Sequence, residues 1–161
     1  MKRKATEMPA RCAQCDGREF RDVTETLSVA LPRSGVSASG EVAARRCTNC
    51  SHVVVASSVI ERFRLALGCE LADAGVRTGE AIRHMRNALG LRAADLAQLL
   101  DLTAETISHW ETGKALPNRS AFIALAAMVE DALEGKTTTR DRLVILVEGG
   151  AYPRTIAVAP R

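Results

Sequence analysis

Large aromatic side chains are scarce in this chain: its 161 residues include one Trp, one Tyr and three Phe, 3% of the total. A core must therefore rest on Ala, Leu and Val, the mainstay of a 47% hydrophobic share, with few bulky anchors. No uncharged apolar run approaches the roughly 18 residues that a membrane-spanning helix requires. The start MKRKATEMP also lacks the apolar stretch of a secretory signal. A soluble, cytoplasmic protein with no membrane partner is expected. Strong charge bias is missing too, since a net charge of +3 permits a polyanionic partner without demanding one. No nucleophile stands beside a matched base and no glycine-rich loop suits a phosphate, so an enzyme is not expected. The sequence contains no internal repeat.

What is present is concentrated in two places. Of five cysteines, four fall in C-x-x-C pairs, Cys12 with Cys15 and Cys47 with Cys50. In a reducing compartment such pairs are metal ligands more often than disulfides. Each pair can form a tight knuckle, and four sulfurs at about 2.3 Å make the closed tetrahedral shell of one structural Zn2+ ion, with no position open to substrate. Soft thiolates and the absence of an evident redox role favour zinc over harder metals. The alternatives are that one pair is a redox couple or incidental, or that His52 replaces a sulfur. Four cysteines already fill the shell, which leaves His52 at the surface.

The stretch between the pairs, residues 16–46, is longer than in an ordinary zinc ribbon, and an inserted β-hairpin accounts for the excess. Leu27, Val29 and Leu31 alternate with small or polar residues as in a half-exposed strand, and PRSGVSASGE over 32–41 reads as a loop. Val42 and Ala44 then lead back to the second pair, and HVVVA follows as a further strand. So small a module, with so little to bury, draws much of its folding free energy from the metal. Residues 1–10 are basic and polar and expected to be disordered, with the module over 11–56. Cys69, left over, reads as a small, partly buried thiol.

Helical spacing takes over after Ser57. Ser58 and Glu61 fit a capping box, and Ile60, Phe63, Leu67, Leu71 and Ala74 form one apolar stripe of a linker helix over 57–76. Further helices are expected over about 79–89, 92–100, 103–113 and 120–133. In the last of these Phe122, Ile123, Leu125, Ala126, Val129 and Leu133 are expected to be buried. Thr138 or Thr139 is placed to cap a final helix through Val147, followed by an extended or disordered end. The fold class is thus α+β, a small β-rich four-cysteine module followed by an all-α domain of about five helices.

Residues 92–111 carry the second signal. A helix-turn-helix needs a small residue where its helices cross, and Ala97 supplies it. It needs a turn residue tolerant of positive φ, and Asp101 is suitable. Leu96, Leu100, Leu102, Ile107 and Trp110 fall at the offsets that clamp the two helices together. Arg86, on the preceding helix, is placed to form a structural ion pair with Glu111.

The segment RHMRNALGLRAADLAQLLDLTAETISHWETGKALPNRSAF resembles the Cro/repressor (Xre-type) helix-turn-helix family, in which an Arg of the first helix pairs with the Glu of a W-E-x-G ending. Arg86 and Glu111-Thr112-Gly113 match that pattern. With two C-x-x-C pairs ahead of it, the chain is similar over about residues 11–133 to the MqsA-type antitoxins, which join a YgiT-type zinc finger to an Xre-type domain. The resemblance implies a homodimer on a palindromic double-stranded operator, and a toxin protein held by the zinc module. It implies base reading by Thr103, Ala104, Glu105, Thr106 and His109. Glu105 and His109 replace the Asn and Arg of the antitoxin pattern. A glutamate can accept from a cytosine amino group and a histidine can donate to guanine N7, so a different operator follows. Arg92, Lys114 and Arg119 are placed for phosphates, setting register and affinity. The alternative is an adaptor that captures a toxin or other partner through the zinc module without reading DNA.

Overall fold

The computed structural model describes residues 10–150 and 154–157. The expected basic tail, apart from Ala10, therefore lies outside the described residues, as does most of the end beyond Gly150. Two long strands, β1 (Phe20–Leu31) and β2 (Val36–Cys47), pair antiparallel without a break from Phe20 opposite Cys47 to Leu31 opposite Val36. Alternation along β1 turns Val23, Leu27, Val29 and Leu31 to one face and leaves Thr24, Thr26 and Ser28 exposed on the other. A short β3 (Val53–Val54) pairs with Arg46 and Arg45 of β2. At about 3.3 Å per residue the ribbon is about 36 Å long.

The loop expected over 32–41 is not one. Only Pro32–Ser34, a single 3-10 turn, and Gly35 in the left-handed region reverse the chain. Ser37, Ser39 and Gly40 are poor strand formers, yet the ladder to β1 and the partial burial of Val36 and Ala38 hold them extended.

Six helices follow: α1 (Ser57–Asp73), α2 (Gly79–Ala88), α3 (Ala93–Leu99), α4 (Ala104–Glu111), α5 (Arg119–Leu133) and α6 (Thr138–Glu148). The sheet followed by helices is the α+β arrangement expected from the sequence. Four local expectations fail. Helix α1 starts with Ala56 as its N-cap and no side-chain cap, so Ser58 already lies inside the first turn and the capping box with Glu61 does not form. Ala74 is exposed because the helix ends one residue earlier. Ile123 is exposed and Ala126 and Leu133 only half-buried, since the inward face of α5 is set by Phe122, Leu125, Met128 and Val129. Finally, neither Thr138 nor Thr139 caps α6; the Thr139 N–H donates instead to Asp131 Oδ2 of α5 at 2.6 Å.

A single apolar cluster joins α1 to α5, with Leu67, Ile82, Leu96, Ile107 and Leu125 among its buried members. Helix α1 crosses α5 at Gly68, where a Cβ would meet Val129 Cγ1 at 2.9 Å. The His84 Nε2–H donates to the Arg64 carbonyl at 2.9 Å, tying α2 to α1, and burial pushes the imidazole pKa down.

Leu31, at the ribbon's turn, belongs to the same cluster, and Phe63 lies against Gly40. The turn is also anchored by polar contacts. Arg33 donates to the Thr112 carbonyl at 3.1 Å, and both the N–H and the hydroxyl of Ser34 donate to Glu80 Oε2 at 2.8 Å. Because the carboxylate takes the serine proton, the Thr78 hydroxyl is the donor in the 2.7 Å contact between Thr78 and Ser34. Burial alone would raise the Glu80 carboxyl, but the Ser34 donors and Arg33 hold it below the usual range.

At the junction of α2 and α4 two backbones touch. A Cβ on Gly79 would sit 1.8 Å from the Trp110 carbonyl oxygen and 2.7 Å from its carbon. Alanine is otherwise the better helical residue by about 1 kcal/mol. Here Gly79→Ala is expected to force the helix ends apart and cost about 3 kcal/mol. Urea denaturation followed by the fluorescence of Trp110, the only tryptophan, measures it; unchanged stability would mean that the two backbones have room to spare.

Candidate metal centre and helix-turn-helix face

The two C-x-x-C pairs are brought together at the ribbon's far end, away from the turn. Each folds in the same way. The Cys12 carbonyl accepts from the Asp16 N–H at 2.9 Å and the Cys12 N–H donates to the Gly17 carbonyl at 2.8 Å. Cys47 repeats both bonds, with the Ser51 N–H at 3.0 Å and the His52 carbonyl at 2.9 Å. The residue after each second cysteine, Asp16 at φ 59° and Ser51 at φ 61°, adopts the left-handed conformation that closes the knuckle. The hairpin between the pairs lets one knuckle lead into β1 and the other leave β2, so pairing the strands brings the knuckles face to face.

The sulfurs of Cys12 and Cys50 lie 3.5 Å apart, those of Cys15 and Cys47 3.6 Å apart, and all four lie within 4.8 Å of one another. A tetrahedral shell with bonds of 2.3 Å has edges of about 3.8 Å, so the cluster fits a metal ion such as zinc. His52 joins the knuckle through its carbonyl, and its ring is not part of the cluster. Without a cation the thiols ionise unequally, Cys12 readily and Cys15 and Cys50 with difficulty. The Gln14 N–H draws the Cys12 thiol down to about 6. The Gly17 N–H likewise favours the Cys15 thiolate, but the Cys50 and Cys47 sulfurs and desolvation push that thiol up to about 12. A divalent cation relieves that conflict, and its binding releases the remaining protons. Cys69 is half-buried on α1, and burial raises its thiol.

The second site is built on α3 and α4. Ala97 is buried where they cross, and Asp101 takes φ 53° in the turn. Leu96, Ile107 and Trp110 are buried, with Leu100 and Leu102 half-buried against them. The clamp behind the turn is larger than the sequence indicated. Arg86 donates to Glu111 Oε1 at 2.6 Å and Oε2 at 3.1 Å, and to the Leu91 carbonyl at 2.7 Å. Arg83 adds a bond to Glu111 Oε2 at 3.1 Å. The Arg86 and Glu111 side chains are 12% and 8% exposed, that of Arg83 50%. Arg83 was missed although it lies three residues before Arg86 on the same helix face, the one signal that could have found it.

On the outer side, Thr103, Ala104 and Glu105 are exposed, and Thr106 and His109 half-exposed. Thr103 caps α4, its Oγ1 accepting from the Thr106 N–H at 3.1 Å. Glu105 Oε1 lies 3.6 Å from His109 Nε2, one turn along the helix. The phosphate candidates separate. Arg92 is engaged by Asp95, with a guanidinium contact at 2.7 Å, and that guanidinium together with the Arg92 N–H holds the Asp95 carboxyl down to about 2. Lys114 and Arg119 are exposed and form no ion pair among the described residues.

These elements define a helix-turn-helix domain. Residues 77–130, α2 through most of α5, match the family model described as a helix-turn-helix domain. No curated protein and no solved structure matches the chain. No helix among the described residues is long and apolar enough to cross a membrane.

Proposed function

We propose that the protein is a dimeric transcription regulator that reads a palindromic operator with the outer face of α4, holds one structural zinc ion, and performs no catalysis. The observation that carries the reading is the α3–Asp101–α4 unit, braced from behind by Glu111 and presenting Thr103, Ala104, Glu105 and His109 outward. In a dimer the two α4 helices enter successive major grooves about 34 Å apart. Two copies are also an electrostatic requirement. Arg77, Arg83, Arg86, Arg92, Lys114 and Arg119 barely exceed Glu80, Asp95, Asp101, Glu105 and Glu111 in residues 76–120. One domain neutralises few phosphates.

The finer reading, an MqsA-like antitoxin acting on its own operon in the cytoplasm, is supported by the order of the four-cysteine module and the helix-turn-helix. In that reading the cysteine end of the ribbon receives the toxin. Fluorescence anisotropy with DNA from upstream of the gene tests DNA reading. The Glu105→Ala/His109→Ala variant is expected to lose at least about 10-fold in specific affinity, a bidentate base contact being worth about 1–3 kcal/mol, with unchanged thermal stability. Should the parent fail to bind at low salt, or the variant bind equally well, α4 does not read bases. The adaptor reading then takes its place, its mark being zinc-dependent co-purification of a neighbouring toxin.

A further inference from the structure

Helix α6 packs on α3 and α5 through Leu143 yet carries apolar side chains that its own chain leaves uncovered: Ile145 is 67% and Leu146 78% exposed. Beside them runs a groove of about 590 Å³ between α3, α5 and α6, its lining including Leu99, Leu102, Ala124, Leu146 and Val147. Three of the charges on the same helix run against its own dipole. Asp141 in the first turn suits the positive end, but Arg140 and Arg142 flank it there and Glu148 is the last residue, at the negative end. Arg142 and Glu148 are both exposed, and neither forms an ion pair within the described part of its own chain.

We infer that a second copy of this chain covers the face, with α6 packed antiparallel on α6 about a two-fold axis at Ile145. This rests on the dimer reading above and names its surface. An antiparallel pair centred on Ile145 sets Arg142 opposite the partner's Glu148, and by symmetry does so twice. It sets Leu146 opposite the partner's Val144. Each arginine then lies near the negative end of the facing helix and each Glu148 near the positive end, so an arrangement unfavourable in one helix is favourable in two. The contact is isologous and closes on itself. Ile145 and Leu146 of each copy reach toward the other's groove, whose lining extends to Asp101 and Leu102 but includes none of Thr103, Ala104, Glu105, Thr106 and His109.

Sedimentation of the full-length protein without DNA tests the interface. A dimer is expected at micromolar concentration. Leu146→Asp should raise its dissociation constant at least about 100-fold, as loss of a central apolar anchor does, while far-ultraviolet circular dichroism stays that of the parent. Arg142→Glu should weaken the dimer, and Arg142→Glu combined with Glu148→Arg should restore it, a result that a merely unfolded variant cannot give. A parent that stays monomeric at about 100 times micromolar concentration, a Leu146→Asp variant that stays dimeric, or a charge exchange that fails to restore association overturns the interface. The two readings fail separately. A dimer that ignores the upstream DNA keeps the interface and defeats the regulator, whereas a monomer that binds the DNA does the reverse.

Discussion

Replacing Cys47 with serine is expected to abolish metal binding and release the far half of the ribbon while the helices stay folded. Cys47 is almost fully buried, and with Cys12 it is one of the few buried side chains at that end, alongside Ala44. Elsewhere the knuckles offer Gln14, Asp16, Thr48 and Asn49, nothing that holds a chain together by burial. Structural zinc supplies about 10–16 kcal/mol in comparable small sites, so loss of the proposed ion would outweigh any cross-strand contact at that end. The helical core draws only Leu31 from the ribbon among its buried members, and Leu31 sits at the opposite end, anchored with Arg33 and Ser34.

The expected result is therefore graded. Native mass spectrometry should find one zinc per parent chain and none in Cys47→Ser. Hydrogen exchange should accelerate over residues 12–24 and 42–54, and the circular dichroism of the helices should hardly change. Chelation of the parent should reproduce the pattern. A cobalt-loaded parent should show the absorption of a tetrahedral thiolate site, which Cys47→Ser lacks. Unaltered exchange in the metal-free ribbon would show that strand pairing alone suffices there; loss of helix would show that the four-cysteine end supports the core.

Much of this architecture is legible in the sequence because it is written in spacing. The two C-x-x-C pairs and their long separation predict knuckles joined by a hairpin, which is what the ladder from Phe20–Cys47 to Leu31–Val36 provides. Ala97, Asp101 and the apolar offsets around them predict the helix-turn-helix down to the positive φ of the turn. What is missed depends on partners distant in sequence. Ser37, Ser39 and Gly40 read as loop because strand propensity is local, whereas their extended form is imposed by β1. The Asp131 cap of α6 and the Ser34–Glu80 anchor join elements whose approach no local pattern encodes. Gly79 looks like an ordinary residue at a helix start until the Trp110 carbonyl is seen against it. One miss is local: on the outer side of the helix-turn-helix the sequence identifies which residues point outward, but not that Arg92 is taken up by Asp95, three residues on, which leaves Lys114 and Arg119 as the freer cations.

Glu111→Ala should be among the most damaging single substitutions in the helical domain, through the charge it strands more than the contact it removes. Glu111 ends α4 and is the shared acceptor of Arg83 and Arg86 on α2. With the carboxylate gone, the Arg86 guanidinium remains nearly buried, with the Leu91 carbonyl as its remaining hydrogen-bond acceptor. Removing one partner of a buried pair costs about 3–5 kcal/mol. The retained Leu91 bond and the half-exposed Arg83 place this case near the lower end. At 2–4 °C per kcal/mol for a chain of this size, the melting temperature should fall by about 6–12 °C. Glu111→Gln keeps the shape and one acceptor, and should cost about half as much. Arg83→Ala, at a half-exposed position, should stay within about 1 kcal/mol. The order Glu111→Ala, Glu111→Gln, Arg83→Ala, followed through Trp110 in the adjoining turn, is the test. An Arg83→Ala variant as unstable as Glu111→Ala would place the brace on the outer arginine. Equal stability in all three would mean that apolar packing alone holds α4 against α2. If the protein reads DNA as proposed, its affinity should fall in the same order, because this carboxylate ties the end of α4 to α2.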